Sequence, residues 1–267
     1  MKKFKVLVSD YDGTLINDDG KITKATFEAV QEFMRRGGTF VVCTGRMTGG
    51  IDHKLKKDGF NCLLASFNGG ELVDLQTDKV LYSKPIDTSI SIRLFEFFES
   101  LNLQGFCYHN GTFVCTKNNN RKEFYQSMQG KPPILVDKVS EYIKQNNVKS
   151  VKILVFDDKE KLDKHYEAIK NAFTELQVIR SNDFHIDINI KGVNKGNALN
   201  LIANQLGCEL DDIIAVGDNG NDVPMLKQAK FSVAMGNAPQ AVKDVVDAVV
   251  SDNNSDGIKE LIEKYCI

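Results

Sequence analysis

Phe4-Lys5-Val6-Leu7-Val8-Ser9-Asp10-Tyr11-Asp12-Gly13-Thr14-Leu15 is the stretch from which the rest of the chain can be read. Its apolar run, Phe4, Val6, Leu7 and Val8, predicts a short buried strand. The run ends at two carboxylates, Asp10 and Asp12, with Gly13 directly after them. Like charges at the end of a buried strand repel, and desolvation raises the pKa of each. A cation removes that cost, and carboxylate oxygens suit Mg²⁺. Gly13 lets the backbone turn sharply. The stretch therefore offers a nucleophilic carboxylate, a second carboxyl able to give and take a proton, and half of a metal site. An acidic turn capping a strand is the plainer alternative, because Asp-Gly is a common turn dipeptide. A calcium loop fits poorly, since its glycine belongs at the sixth position and Gly13 is the fourth counted from Asp10. Partners elsewhere in the chain decide between these.

Outward from this stretch, Ala25, Phe27, Val30, Phe33 and Met34 recur at helical spacing, and Gly37-Gly38 ends the run. Residues 39–43 read as a second buried strand, followed at once by Thr44-Gly45-Arg46. A helix is expected over 47–57 and a third strand over 62–66, followed by Asn68-Gly69-Gly70. Strands and helices alternating with short connections predict a parallel sheet with helices on its faces. Ligands gather beyond the carboxyl ends of such strands, where Asp10, Thr44 and Asn68 all fall.

The pattern then changes. Residues 72–75 and 80–82 read as a hairpin, and Pro85 breaks the chain. From 85 to 187, short strands and helices alternate around turns such as Asn110-Gly111, which predicts an inserted α+β domain with its own core. Its aromatics, among them Phe95, Phe98, Phe106, Tyr108 and Phe113, are assigned to that core. The parallel pattern resumes with Lys195 at the head of a helix, a strand over 213–216, and Gly217-Asp218-Asn219-Gly220-Asn221-Asp222 at its end. The expected architecture is a Rossmann-like α/β core, residues 1–84 and 188–267, with the α+β domain, 85–187, between its halves.

The second acidic turn supplies the missing partners, because it follows a buried strand as the first does. Asp10, the main-chain carbonyl of Asp12, and Asp218 form a hard oxygen site for Mg²⁺. Thr44 and Gly45 offer a hydroxyl and strand-end amides to an anion, and Lys195 adds a charge at a helix N-terminus. Taken singly, Lys195 reads as a solvated lysine and Thr44 as an ordinary cap. Taken together with the carboxylates they make a phosphate pocket in which Asp10 attacks phosphorus, an attack on a dianion that requires nearby cations.

The bulk properties agree. The 267 residues are 42% hydrophobic and 26% charged, with net charge −2. Nothing electrostatic points to nucleic acid or a membrane surface, and no apolar run approaches the ~20 residues a bilayer span needs. Basic Met1-Lys2-Lys3 leads into no signal h-region, so a cytoplasmic location is expected. Six scattered cysteines without a C-x-x-C pair read as small buried hydrophobes, and four histidines show no zinc spacing.

In four ordered motifs the chain resembles the haloacid dehalogenase superfamily of phosphatases, and more closely its Cof-type branch with a large inserted cap. The motifs correspond to Asp10-Tyr11-Asp12-Gly13-Thr14-Leu15, Thr44-Gly45-Arg46, Lys195, and Gly217 to Asp222. Asn68-Gly69-Gly70 looks like that branch's Asn-Gly-Ala stretch, and Tyr11 stands where an apolar residue is more usual. The resemblance implies that Asp10 is the nucleophile and Asp12 the acid and base. It implies Mg²⁺ on Asp10, the Asp12 carbonyl and Asp218, with Asp222 ordering a metal water or Lys195. Thr44, Gly45, Lys195 and Asn221 would hold the phosphoryl group. The implied activity is removal of phosphate from a small phosphorylated metabolite such as a sugar phosphate, through an aspartyl-phosphate, with the cap closing over the site. A phosphomutase, and a silent sensing or protein-binding module, are the alternatives. The sequence leaves the oligomeric state open.

Overall fold

The apolar run at the start of the chain forms β1 (Val6–Ser9), with all four residues buried. The computed structural model describes residues 4–267, for Met128 and Gln129 the backbone alone; Met1-Lys2-Lys3 lies outside the described residues. After β1 come α1 (Lys24–Arg35), β2 (Thr39–Cys43), α2 (Thr48–Lys57), β3 (Leu63–Ser66), β4 (Glu71–Asp74) and β5 (Lys79–Ser83). Thr23 caps α1 by accepting the Thr26 N–H, and Val30 and Phe33 bury its inner face. The chain continues through α3 (Thr88–Ser100), β6 (Gly105–His109), β7 (Thr112–Thr116), α4 (Lys122–Gln129), β8 (Ile134–Val136) and α5 (Val139–Asn146). Then follow β9 (Ile153–Phe156), α6 (Lys159–Ala172), β10 (Leu176–Asn182), β11 (His185–Ile190) and α7 (Lys195–Leu206). The last part holds β12 (Ile213–Gly217), α8 (Val223–Leu226), β13 (Phe231–Ala234), α9 (Gln240–Lys243), β14 (Ala248–Val249) and α10 (Gly257–Leu261).

Two compact units emerge. One takes the chain up to Arg46, Lys54–Tyr82 and Asn194–Ile267; the other takes Met47–His53 and Ser83–Val193. The second unit runs past the 85–187 expected from sequence, because Ile188 on β11 is part of its apolar core.

The first unit carries an eight-stranded sheet in the order β14-β13-β12-β1-β2-β3-β4-β5. From β14 to β3 every pairing is parallel, and β4 turns back antiparallel on β3. β1 lies at the centre, in register with Ile213–Val216 on one side and Thr39–Val42 on the other. The order therefore reverses at β1, and the crevice beyond its carboxyl end is where such sheets take ligands. Apolar residues from α7, among them Leu199 and Ile202, pack with Val6, Val8, Val41, Ile213 and Ala215 in one continuous core. Among the described residues, no helix is long and apolar enough to cross a membrane.

The second unit carries a six-stranded sheet, β10-β11-β9-β6-β7-β8. Its core holds Leu94, Phe95 and Phe98 of α3 against Cys107, Val114, Ile153, Val155, Ile186 and Ile188. β8 was not expected from sequence. It is a three-residue edge strand beginning directly after Pro132-Pro133, and it pairs parallel with β7. So short a run carries no periodicity. Five of the six cysteines are buried, as expected of small hydrophobes. Phe98 is 1% exposed, so Phe98→Ala is expected to cost about 3–5 kcal/mol, read as an earlier unfolding transition in urea.

Candidate active site

Asp10 stands one residue past β1 and keeps the sheet pairing, its N–H donating to the Val216 carbonyl at 3.0 Å. The chain then leaves the sheet. Asp12 is extended, and Gly13 takes φ 71°. A Cβ on Gly13 would stand 2.6 Å from Asp218 Oδ2, so glycine is needed there for both backbone and space. The two acidic turns are thereby pressed together. The Thr14 hydroxyl donates to Asp218 Oδ1 at 2.8 Å.

Lys195 opens α7, whose start is fixed by the Asn194 side chain accepting the Asn197 N–H. The lysine is 1% exposed, far from the solvated state usual for its type. Its Nζ donates to Asp10 Oδ1 and to Asp222 Oδ1, both at 2.6 Å. The other oxygen of Asp222 accepts the N–H groups of Asp218 (3.0 Å) and Asn219 (2.9 Å). Asp222 thus uses both oxygens, and it ties the loop after β12 to the lysine.

Oxygens of Asp10, Asp218 and Asp222 all lie within 4.8 Å of one another. Three carboxylates against one ammonium leave the cluster negative. With Asp222 committed, the open lone pairs belong to Asp10 and Asp218. Hard oxygen donors of this kind fit a hard divalent cation. The electrostatics report the same imbalance. Burial raises the Asp10 carboxyl to about 7, with Lys195 opposing and Asp222 adding to the rise. Asp218 is raised as well, by burial first and by Asp222. Burial pulls the Lys195 ammonium down, but Asp10 and Asp222 together outweigh it and hold it above its ordinary value.

Thr44 stands directly after β2 and is buried at 1% exposure. Its hydroxyl oxygen accepts the Arg46 N–H at 3.1 Å, leaving its proton to give. Gly45 follows it. Asn221 is exposed, and among the described residues no hydrogen bond ties its side chain to the cluster. Asp12 is exposed and gripped through both oxygens by Arg46, Nε to Oδ2 at 2.8 Å and Nη2 to Oδ1 at 2.6 Å. The Arg46 guanidinium lies 5.4 Å from the centre of the Tyr11 ring. Sequence reasoning gave Arg46 no task of its own. Its signal was there, as a fork-shaped cation directly after an anion-binding Thr-Gly pair.

A family model for haloacid dehalogenase-like hydrolases matches residues 7–262. The chain is 28% identical to the 5-amino-6-(5-phospho-D-ribitylamino)uracil phosphatase of Bacillus subtilis, covering 98% of this chain and 96% of that one. It is 26% identical to the pyridoxal phosphate phosphatase of Escherichia coli, covering 98% and 99%. The crystal structure of a haloacid dehalogenase-like hydrolase from Bacteroides thetaiotaomicron superposes with a TM-score of 0.89 at 25% identity, over 98% of this chain and 99% of that one.

A raised carboxyl means that the native state holds its proton more tightly than the unfolded chain between the ordinary value, 3.8, and about 7. Ionising Asp10 therefore removes stability as pH rises through that window, in the absence of a divalent cation. In EDTA, Asp10→Asn is expected to gain thermal stability over the wild type at pH 8 and to lose that advantage at pH 5. Scanning calorimetry at the two pH values reads it, and a pH-independent difference contradicts it.

Proposed function

The chain belongs to the haloacid dehalogenase-like hydrolase family, and from that premise we propose a Mg²⁺-dependent phosphatase that acts on a small phosphorylated metabolite through an aspartyl-phosphate on Asp10. The observation that carries the reading is the Asp10 carboxylate bonded to a buried ammonium with Asp218 alongside. A carboxylate with positive charge beside it is able to approach a phosphate dianion, which bare acidic turns repel.

Asp10, the Asp12 carbonyl and Asp218 would hold Mg²⁺, which supplies further positive charge against the phosphoryl oxygens. The Thr44 hydroxyl, the Gly45 N–H, Lys195 and Asn221 orient those oxygens. An Asp10 oxygen attacks phosphorus, the ester P–O bond breaks, and the Asp12 carboxyl gives its proton to the departing alcohol oxygen. In the second half the Asp12 carboxylate takes a proton from water as that water attacks the aspartyl-phosphate. Phosphate leaves and the Asp10 carboxylate is restored. Asp222 touches no substrate in this scheme; it holds Lys195 and the Asp218 turn in place. Arg46 occupies both oxygens of Asp12, so one of its two bonds has to open for the first half.

The two curated relatives named above act on compounds that have a phosphate in common and differ in the rest. That supports a shared phosphoryl end and leaves the alcohol to be found, with sugar phosphates the first class to screen.

Asp10→Asn should lower kcat on 4-nitrophenyl phosphate by at least about 10⁴-fold, and EDTA should do the same to the wild type until Mg²⁺ is restored. Retained turnover in Asp10→Asn excludes the covalent route. Asp12→Asn is expected to lose about 10²–10⁴-fold on alkyl phosphates and clearly less on 4-nitrophenyl phosphate, whose leaving group needs no proton. Equal losses on both contradict the acid role of Asp12.

A further inference from the structure

The Phe67-Asn68-Gly69 turn after β3 has no part in the scheme above. Its three residues take left-handed backbone angles in succession, with φ of 53°, 59° and 91°. Asparagine and glycine visit this region readily, whereas an aromatic residue there is strained. The turn is gripped from two sides. The Phe67 N–H donates to the Arg46 carbonyl at 2.9 Å and the Asn68 N–H to the Thr44 carbonyl at 2.8 Å, so the turn is bonded to the Thr44-Gly45-Arg46 loop. Opposite, Gly69 presses on the first turn of α7: a Cβ on it would stand 2.5 Å from the Ala198 Cβ. Strain that the surroundings over-determine concentrates at ligand sites.

What this backbone positions is the Asn68 side chain. Its carboxamide lies against Gly45, where a Cβ would sit 3.1 Å from Oδ1 and 3.6 Å from Nδ2. Oδ1 is buried and has no hydrogen-bond partner, and among the described residues nothing accepts from the NH₂ group. The NH₂ is a donor held beside the Thr44-Gly45 loop, whereas Oδ1, an acceptor, gains nothing from a phosphoryl group. Phosphoryl oxygens only accept, so the NH₂ is the end that meets them.

We propose that Asn68 is a substrate-binding residue whose carboxamide NH₂ donates to the phosphoryl group of the bound monoester, beside Gly45 and Thr44. This rests on the phosphoryl-transfer reading and adds to it a neutral donor from a third strand end. A neutral donor strengthens binding of a dianion without adding charge to a site that must later release phosphate.

The test is calorimetric titration of inorganic phosphate into the full chain with Mg²⁺, comparing wild type, Asn68→Gly and Asn68→Asp. Glycine and aspartate both accept a φ near 59°, so the turn keeps its shape in either variant. Asn68→Gly is expected to weaken phosphate binding by about 10–100-fold, the effect of one hydrogen bond to a charged group. Asn68→Asp is expected to weaken it further through like-charge repulsion. Melting temperature and Mg²⁺ affinity should stay near wild type in Asn68→Gly. Phosphate affinity within about twofold of wild type in that variant overturns the assignment. A wild type that binds phosphate and hydrolyses no aryl phosphate counts against the hydrolytic reading and leaves Asn68 tested by binding. A wild type that binds no phosphate at all overturns both.

Discussion

A lysine almost wholly removed from water, held between two carboxylates, is the interaction on which the arrangement depends. An unpaired ammonium in that position is costly, and Asp10 and Asp222 share its neutralisation. They come from opposite ends of the sequence, 185 and 27 residues from Lys195. The pairing therefore fixes three elements at once: the end of β1, the loop after β12, and the first turn of α7. Such a cluster contributes little net stability after desolvation. The apolar packing of α7 on the sheet supplies the stabilisation that the cluster does not.

The parallel sheet explains why residues so far apart converge. In a parallel sheet all carboxyl ends lie on one edge, and the register of β1 with β2 and β12 brings Asp10, Thr44 and Asp218 to that edge. The chain between β5 and α7 forms a unit with a separate sheet and core, so it leaves the pairing of β1 with β12 intact. A long insertion of this kind adds only slowly to the entropy of closing the first unit.

The sheet was legible because its strands are buried on both faces and read as unbroken apolar runs, Val6 to Val8 and Ile213 to Val216 being the plainest. The acidic turns were legible because each follows such a run. The burial of Lys195 was not, since a lysine in a Gly-Val-Asn-Lys-Gly context has no local mark separating it from a solvated one. Its partners are visible only in three dimensions. The same holds for the Arg46 grip on Asp12, which joins residues 34 positions apart. The brevity of α8, Val223–Leu226, was not legible either. There the constraint was tertiary: α8 is a single turn wedged between the acidic loop and β13, a limit that no local propensity carries.

The polar groups at the site point in a consistent direction. Burial raises Asp10 and Asp218, the Thr44 hydroxyl has among the described residues no acceptor for its proton, and Asn68 Oδ1 lies buried without a partner in a strained turn. Carboxylates call for a cation and the Thr44 hydroxyl for an acceptor, and both lie at one sheet edge. A cation alone would relieve the carboxylates and leave the donors idle; an anion alone would be repelled by the acidic cluster. On the phosphatase reading proposed above, a divalent cation and a phosphoryl group would meet both needs together. Carboxylates and a hydroxyl donor already fixed by the sheet would then need little reorganisation to receive such a pair.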